Sequence, residues 1–258
     1  MYEKGQGVPQ DYARARHWFE QAAVQGVSAS QYNLGIFYQN GYGVGRDFSR
    51  ACHWYGKAAA QGYAVAQYNF GICYEKGQGM PQNYVYARDW YEKAAAQGFP
   101  DAQFNLGVLY LNGHGVPQDY ARARYWFEKA AAQGMADAQY NLGFLYYKGH
   151  GVPQDYVRAR HWFEKAAAQG MVAAQNNLGI LYNRGLGVTQ DYVRARHWYE
   201  KAAAQGYAVA QTNLGVLYAK GHGVPQDYAR ARYWFEKAAT QGDGPAQSAL
   251  RLLQREGH

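Results

Sequence analysis

The sequence predicts an all-α solenoid of antiparallel helix pairs, and three observations predict it. A segment beginning Gly5-Gln6-Gly7-Val8-Pro9-Gln10-Asp11-Tyr12 returns with its first glycine at Gly41, Gly77, Gly113, Gly149, Gly185 and Gly221, a constant 36-residue period without insertion or deletion. A tryptophan series, Trp18, Trp54, Trp90, Trp126, Trp162, Trp198 and Trp234, keeps the same phase. Inside each unit the apolar residues recur with helical spacing, so each unit reads as two helices. About seven such units fill the 258 residues. One helix pair cannot bury its apolar stripe alone, but stacked pairs can, each touching only its neighbours.

One unit justifies the elements in order. Ala138, Leu142, Leu145 and Tyr146 fall at i, i+4, i+7 and i+8 and form the stripe of a first helix from Ala136 to Gly149. Gly149 ends that helix, and the loop Gly149-His150-Gly151 needs glycine twice for positive φ. Pro153 is placed in the first turn of the second helix, with Asp155 near the positive end of its dipole. The second helix runs to about Gln169 and stops at Gly170, with the stripe Tyr156, Ala159, Trp162, Phe163 and Ala166. Gly143 is expected to face Ala159 and Ala166, the small residues letting two helices approach while aromatic rings fill the space beside them.

The whole chain reads as one elongated domain. It holds a partial repeat at 1–26, full repeats at 27–62, 63–98, 99–134, 135–170, 171–206 and 207–242, and a capping helix at 243–258. Met1 aligns with Leu109 and Leu145, mid-helix, so the chain opens inside a first helix whose unpaired apolar edge invites self-association. At the other end Leu250 keeps its core place, but Arg251 stands for the packing glycine and Gln254 for the Tyr, as expected of a helix that no further helix approaches.

Composition bounds the function. Hydrophobic residues make up 48% of the chain, enough for a sizeable core, and no apolar run reaches the roughly 18 to 20 residues of a membrane span. The net charge of +7 permits an acidic partner, a phosphate backbone or an anionic surface without demanding one. Two cysteines, Cys52 and Cys73, are too few for a disulfide framework.

The unit resembles the Sel-one-like repeat, a relative of the tetratricopeptide repeat. The residues carrying the resemblance are Ala138-Gln139-x-Asn141-Leu142-Gly143-x-x-Tyr146, then Gly149-x-Gly151-Val152-x-x-Asp155, then Ala159-x-x-Trp162-Phe163-x-Lys165-Ala166-Ala167-x-x-Gly170. The resemblance covers nearly the whole chain. It implies a right-handed superhelix with a concave face lined by first helices, a scaffold or adaptor role, and a bacterial origin, without naming a partner or a compartment. Some members carry one disulfide per repeat. Here Cys52 stands where Arg16, Arg88 and Arg124 stand, and Cys73 where Leu109 and Leu145 stand. Cys73 is therefore read as a small core residue, and no Cys52–Cys73 disulfide is expected, given the geometric demands of the bond.

Because the repeats are near-copies, their differences are informative. Asn33, Asn69, Asn105, Asn141, Asn177 and Asn213 never change. Three variable rows share one side of the first helices. One reads Tyr32, Tyr68, Phe104, Tyr140, Asn176, Thr212 and Ser248, and another Gln39, Glu75, Leu111, Tyr147, Asn183 and Ala219. Between them run Ile36, Ile72, Val108, Phe144, Ile180 and Val216. The resemblance puts this side on the concave surface. A groove is expected there with an apolar cluster of Phe104, Val108, Leu111, Tyr140, Phe144 and Tyr147, turning polar through Asn176, Asn183 and Thr212, and flanked by Lys76, Lys148, Arg184 and Lys220. Its ligand would be an extended peptide or a helix with an apolar section and acidic residues. The competing reading makes the Tyr row core against a neighbouring helix, against which the Asn, Thr and Ser of later repeats argue.

The second helices carry two arginine ladders, Arg14, Arg50, Arg122, Arg158, Arg194, Arg230 and Arg16, Arg88, Arg124, Arg160, Arg196, Arg232. They read as a solvated face, with i,i+4 pairs Arg124–Glu128, Arg160–Glu164 and Arg196–Glu200, rather than as a phosphate site. His114, His150 and His222 alternate with Leu186 and other residues in the loop, which argues against a metal, and His17, His53, His161 and His197 read as exposed. No nucleophile–base set, phosphate loop or cofactor motif is found. The expectation is a non-catalytic scaffold binding a protein or peptide. The alternatives are a cell-wall or penicillin-binding hydrolase, a nucleic-acid binder using the Arg ladder, or an engineered array with no natural ligand.

Overall fold

The computed structural model describes residues 9–257, and the mid-helix start expected at Met1, with its self-associating edge, lies outside them. Among the described residues there are fourteen α-helices and no strand. The second helices of the repeats are α1 (Tyr12–Val24), α3 (Phe48–Ala60), α5 (Tyr84–Ala96), α7 (Tyr120–Ala132), α9 (Tyr156–Ala168), α11 (Tyr192–Ala204) and α13 (Tyr228–Ala239). The first helices are α2 (Ser28–Asn40), α4 (Ala64–Lys76), α6 (Pro100–Asn112), α8 (Ala136–Lys148), α10 (Val172–Arg184), α12 (Ala208–Lys220) and α14 (Gly244–Arg255). The helices form an all-α solenoid whose chain falls into two compact units, Met1–Ala130 and Ala131–His258, and within each unit neighbouring helices pack on each other.

Helix ends are set by side chains at fixed places in the repeat. Gly149 is the C-cap of α8 in the left-handed region at φ 72°, as the loop required. Gly151 is also left-handed, at φ 69°. Pro153 lies before α9, not in its first turn. The helix begins later because Asp155 is its N-cap, accepting the Arg158 N–H at 2.9 Å. The Arg158 guanidinium then closes on the same carboxylate at 3.3 Å, so this arginine ladder is occupied with capping. Gln154 binds the other helix end: its Nε2 donates to the Tyr147 carbonyl at 2.9 Å, satisfying one of the last carbonyls of α8.

The core holds the expected stripes. Ala138, Leu142, Leu145 and Tyr146 of α8 are buried with Ala159, Phe163, Ala166 and Ala167 of α9, while Tyr156 and Trp162 are half-buried. Gly143 faces Ala159 as expected, but its second neighbour is Phe163 and not Ala166. A Cβ there would fall 2.6 Å from the Phe163 ring and 3.2 Å from the Ala159 carbonyl, so the glycine makes room for an aromatic ring rather than for Ala166. The buried glutamines inside the stack are paired. In α10 the buried Gln175 donates to the Ala167 carbonyl at 3.5 Å and accepts from Gln205 Nε2 at 2.9 Å. Gln67 and Gln97 do the same in the first unit, so each glutamine row ties one repeat to the next.

Cys52 and Cys73 form a disulfide, Cα–Cα 6.0 Å, against expectation. Both are buried, at 1% and 6% exposed, so the position of Cys52 does not belong to a solvated face. The arginines at the same place elsewhere tell the same story. Arg124, Arg160 and Arg196 sink their Nε atoms into the protein, and their guanidinium groups lie 3.4–3.5 Å from Glu128, Glu164 and Glu200. The side chain at this position leans onto the following first helix, where Cys73 waits for Cys52.

Candidate functional site

The three variable rows separate once their contacts are known. In the first row the rings of Tyr32, Tyr68, Phe104 and Tyr140 are half-buried, each 5.7 Å by centroid from the core aromatic of its own repeat: Tyr55, Tyr91, Phe127 and Phe163. The hydroxyls of Tyr32, Tyr68 and Tyr140 are raised in pKa chiefly by burial, which Asn69, Asn105 and Asn177 of the following first helix partly offset. Burial pushes the Tyr68 hydroxyl up to about 12, with the Asp101 and Glu75 charges adding to it. Asn69 and Asn141 also donate to the carbonyl four residues back, Val65 and Asp137, both at 2.8 Å, Asn141 standing where the row holds Phe104 and no hydroxyl.

Asn176 and Thr212, placed in the polar part of the groove by the sequence, are buried at 4% and 8% exposed. Their polar atoms are already partnered. Asn213 Nδ2 donates to Asn176 Oδ1 at 3.0 Å, and the Thr212 hydroxyl donates to Asp243 at 2.9 Å. Asn and Thr are tolerated here because the neighbouring first helix, or the N-cap of α14, supplies a partner in place of the Tyr hydroxyl's.

The second row follows the identity of the core aromatic. The Tyr55 hydroxyl donates to Gln39 at 2.8 Å, and the Tyr91 hydroxyl to Glu75. Where that aromatic is Phe127, Phe163 or Phe235, the row holds Leu111, Tyr147 or Ala219. Gln39 and Glu75 are thus present for a buried hydroxyl, a relation visible in the sequence once the two rows are compared. The remaining combination, Tyr199 with Asn183, makes no such bond among the described residues.

What stays open is the middle row and its flanks. Ile36, Ile72, Val108, Phe144, Ile180 and Val216 are half-buried, touching core on one side and solvent on the other. Lys76, Lys148, Arg184 and Lys220 are exposed and form no ion pair among the described residues. Lys148 Nζ stands 5.7 Å from the ring centroids of both Phe144 and Tyr147. The expected apolar cluster is divided between the units, with Phe104, Val108 and Leu111 in the first and Tyr140, Phe144 and Tyr147 in the second.

No three His, Cys, Asp or Glu side chains gather as a metal site among the described residues, and no helix there is long and apolar enough to cross a membrane. His53, His161 and His197 are exposed, each edge-on to the adjacent Trp. The arrangement offers apolar area bordered by cations, suited to holding a chain.

Comparison with known proteins places these features in context. The Sel1 repeat model matches residues 1–27, 28–63, 64–99, 100–135, 136–171, 172–207 and 208–243. A protective antigen present in uropathogenic Escherichia coli strains, displaying an SLR fold, is 42% identical with a TM-score of 0.89. That match covers 94% of this chain but 52% of the antigen, so the chain spans about half the antigen's length. A Sel1 repeat protein from Oxalobacter formigenes is 39% identical over 98% of this chain and 73% of its own, with a TM-score of 0.80. No match is found among curated proteins.

Proposed function

Because this chain belongs to the Sel1 repeat family, whose repeats are generally protein-interaction modules, we propose that it is a non-catalytic scaffold holding a protein or peptide on the open side of its first helices. One observation carries the reading. In the unit Ala131–His258, Phe144, Ile180 and Val216 stand in 36-residue register, half-buried, beside the unpaired cations Lys148, Arg184 and Lys220. The second-helix arginines of that unit behave differently: Arg158, Arg160, Arg194, Arg196 and Arg230 all have a carboxylate within 3.5 Å. Uncommitted positive charge on the first helices suits a partner with apolar residues and acids. In the unit Met1–Ala130 the corresponding row is Ile36, Ile72 and Val108, flanked by Leu111 and the exposed Lys76.

Photo-crosslinking tests the proposal. Benzoylphenylalanine at position 144 or 216 should capture a discrete partner from the native cell, and at position 161 or 197 on the second helices should not. Equal capture from both sides, or capture from the second helices alone, removes the first-helix face from consideration.

A further inference from the structure

The repeat at 27–62 has exchanged a repeated internal contact for a cation. Elsewhere the glutamine that precedes a second helix closes the end of the first. Gln82, Gln118, Gln154, Gln190 and Gln226 each donate to the carbonyl seven residues back, at 2.8–2.9 Å. Gln10, Gln82 and Gln226 also donate to the hydroxyl two residues on, at Tyr12, Tyr84 and Tyr228, at 2.8–3.0 Å. In this repeat the same two places hold Arg46 and Phe48. Phe48 has no hydroxyl, and Arg46 makes no hydrogen bond or ion pair among the described residues. Its guanidinium lies over the Phe48 ring, 4.5 Å from the centroid.

The exchange falls beside a cavity. A space of about 120 Å³ is bounded by Gln39, Phe48, Ile72, Lys76 and both cysteines of the disulfide. A more open one of about 290 Å³ shares Gln39, Phe48 and Gln78 with it and adds Asn40 and Arg46. The two make one depression, with Lys76 in the wall of the first part and Arg46 in the wall of the second. Among the described residues no acid lines either part. The neighbouring acids are committed elsewhere: Asp47 caps α3 and pairs with Arg50 at 3.4 Å, and Glu75 accepts from Tyr91. Gln39 Oε1 accepts the Tyr55 hydroxyl at 2.8 Å, which leaves the N–H groups of its amide to donate. Two cations and an amide donor thus border a space with an aromatic ring in its wall and no acceptor side chain of opposite charge.

We propose that this depression holds the carboxylate of an acidic side chain from the partner, its methylenes against Phe48 and its charge between Arg46 and Lys76. Hydrogen bonds from a cation to a carboxylate are the stronger kind. The assignment rests on the scaffold reading above and deepens it, because Ile72 and Lys76 belong both to the cavity wall and to the first-helix face given there to the partner.

NMR titration of the isotope-labelled intact chain with acetyl-Ala-Leu-Glu-Leu-Ala-amide tests it, the glutamate being the peptide's only charge. The side-chain amide signals of Gln39 and Gln78 should shift saturably, and the Glu→Gln peptide should leave them in place. Arg46→Gln with Phe48→Tyr restores the pair present at 82 and 84, and Lys76→Asn installs the residue present at 40 and 112, so both variants keep the fold. Each should weaken the peptide about tenfold. Undiminished binding by the Arg46→Gln/Phe48→Tyr variant, or equal shifts with the Glu→Gln peptide, overturns the site. A Glu→Gln peptide with a free C-terminus that binds where the blocked Glu peptide does not moves the carboxylate to a chain end and overturns the side-chain source. Inorganic phosphate shifting the same signals when neither peptide does overturns the carboxylate. Partner capture at position 144 or 216 without peptide binding overturns this site and leaves the scaffold reading standing. Peptide binding without such capture supports the site and overturns the placing of the partner along Phe144 and Val216.

Discussion

The two units are built from the same repeat, yet they treat the hydroxyl of the core tyrosine differently. In Met1–Ala130 the Tyr55 and Tyr91 hydroxyls end on Gln39 and Glu75, and a disulfide joins α3 to α4. In Ala131–His258 the Tyr199 hydroxyl meets no acceptor, and three first helices carry unpaired cations at Lys148, Arg184 and Lys220. The repeat keeps the ring against the packing glycine constant and varies the polar atom that ring presents. One methylene in the facing residue then decides whether the hydroxyl finds a side-chain acceptor on the neighbouring helix.

Breaking the disulfide should give the largest effect and confine it to the first unit. Closing a 21-residue separation stabilises by about 3 kcal/mol in the chain-entropy account. Dithiothreitol should therefore lower the denaturation midpoint of the first unit, read by hydrogen exchange at α3 and α4, and leave α10 to α13 unchanged. Cys52→Arg with Cys73→Leu restores the pair found at Arg160 and Leu181 and should be indifferent to reductant. Uniform destabilisation of both units by reductant would contradict this.

The next effect compares the two tyrosines directly. Tyr91→Phe strands Glu75, half-buried and without its donor, and should cost about 1.5 kcal/mol in urea denaturation. Tyr199→Phe strands no side-chain acceptor, so it should be near neutral. Equal costs at the two positions would mean that Tyr199 has an acceptor as well.

How much of this was legible depended on how local the cause was. Helix pairs, the terminal glycine and the buried stripes followed from period and spacing, because those signals lie within one helix and its loop. Pro153 was misplaced because proline suits either the first turn or the residues before the cap, and the Asp155 side chain decides between them. The Cys52–Cys73 bond and the burial of Asn176 and Thr212 depend on how one repeat leans on the next, which single-helix periodicity does not encode. The pairing of Tyr55 with Gln39 and of Phe163 with Tyr147 was present in the sequence as two rows changing together, on different helices. Treating each row alone made Gln39 and Glu75 look like surface variation. The partner-facing rows are the least legible, because a face is defined by what remains after internal contacts are assigned.

The smallest effect appears only in alkali and sharpens the comparison through charge. Tyr68 is pushed up to about 12, mainly by burial and then by the Asp101 and Glu75 charges, whereas Tyr140 is raised by burial and by Tyr207, a group that is neutral at pH 7. An unfolded tyrosine releases its proton near pH 10, while the folded Tyr68 holds it to about 12. The unfolded state therefore binds fewer protons across that window, and stability must fall as pH rises from about 10 to 12, having been fully present below it. Tyr68→Phe should flatten the alkaline limb of a stability–pH curve, and the residue is admissible because Phe104 fills the same place one repeat later. Tyr140→Phe should flatten it less, since no acidic side chain adds to the burial there. Guanidinium titrations at pH 9, 10 and 11 on the two variants separate these outcomes. An equal flattening would show that burial alone sets the hydroxyl's behaviour and that the acids of the first unit are too well solvated to act on it.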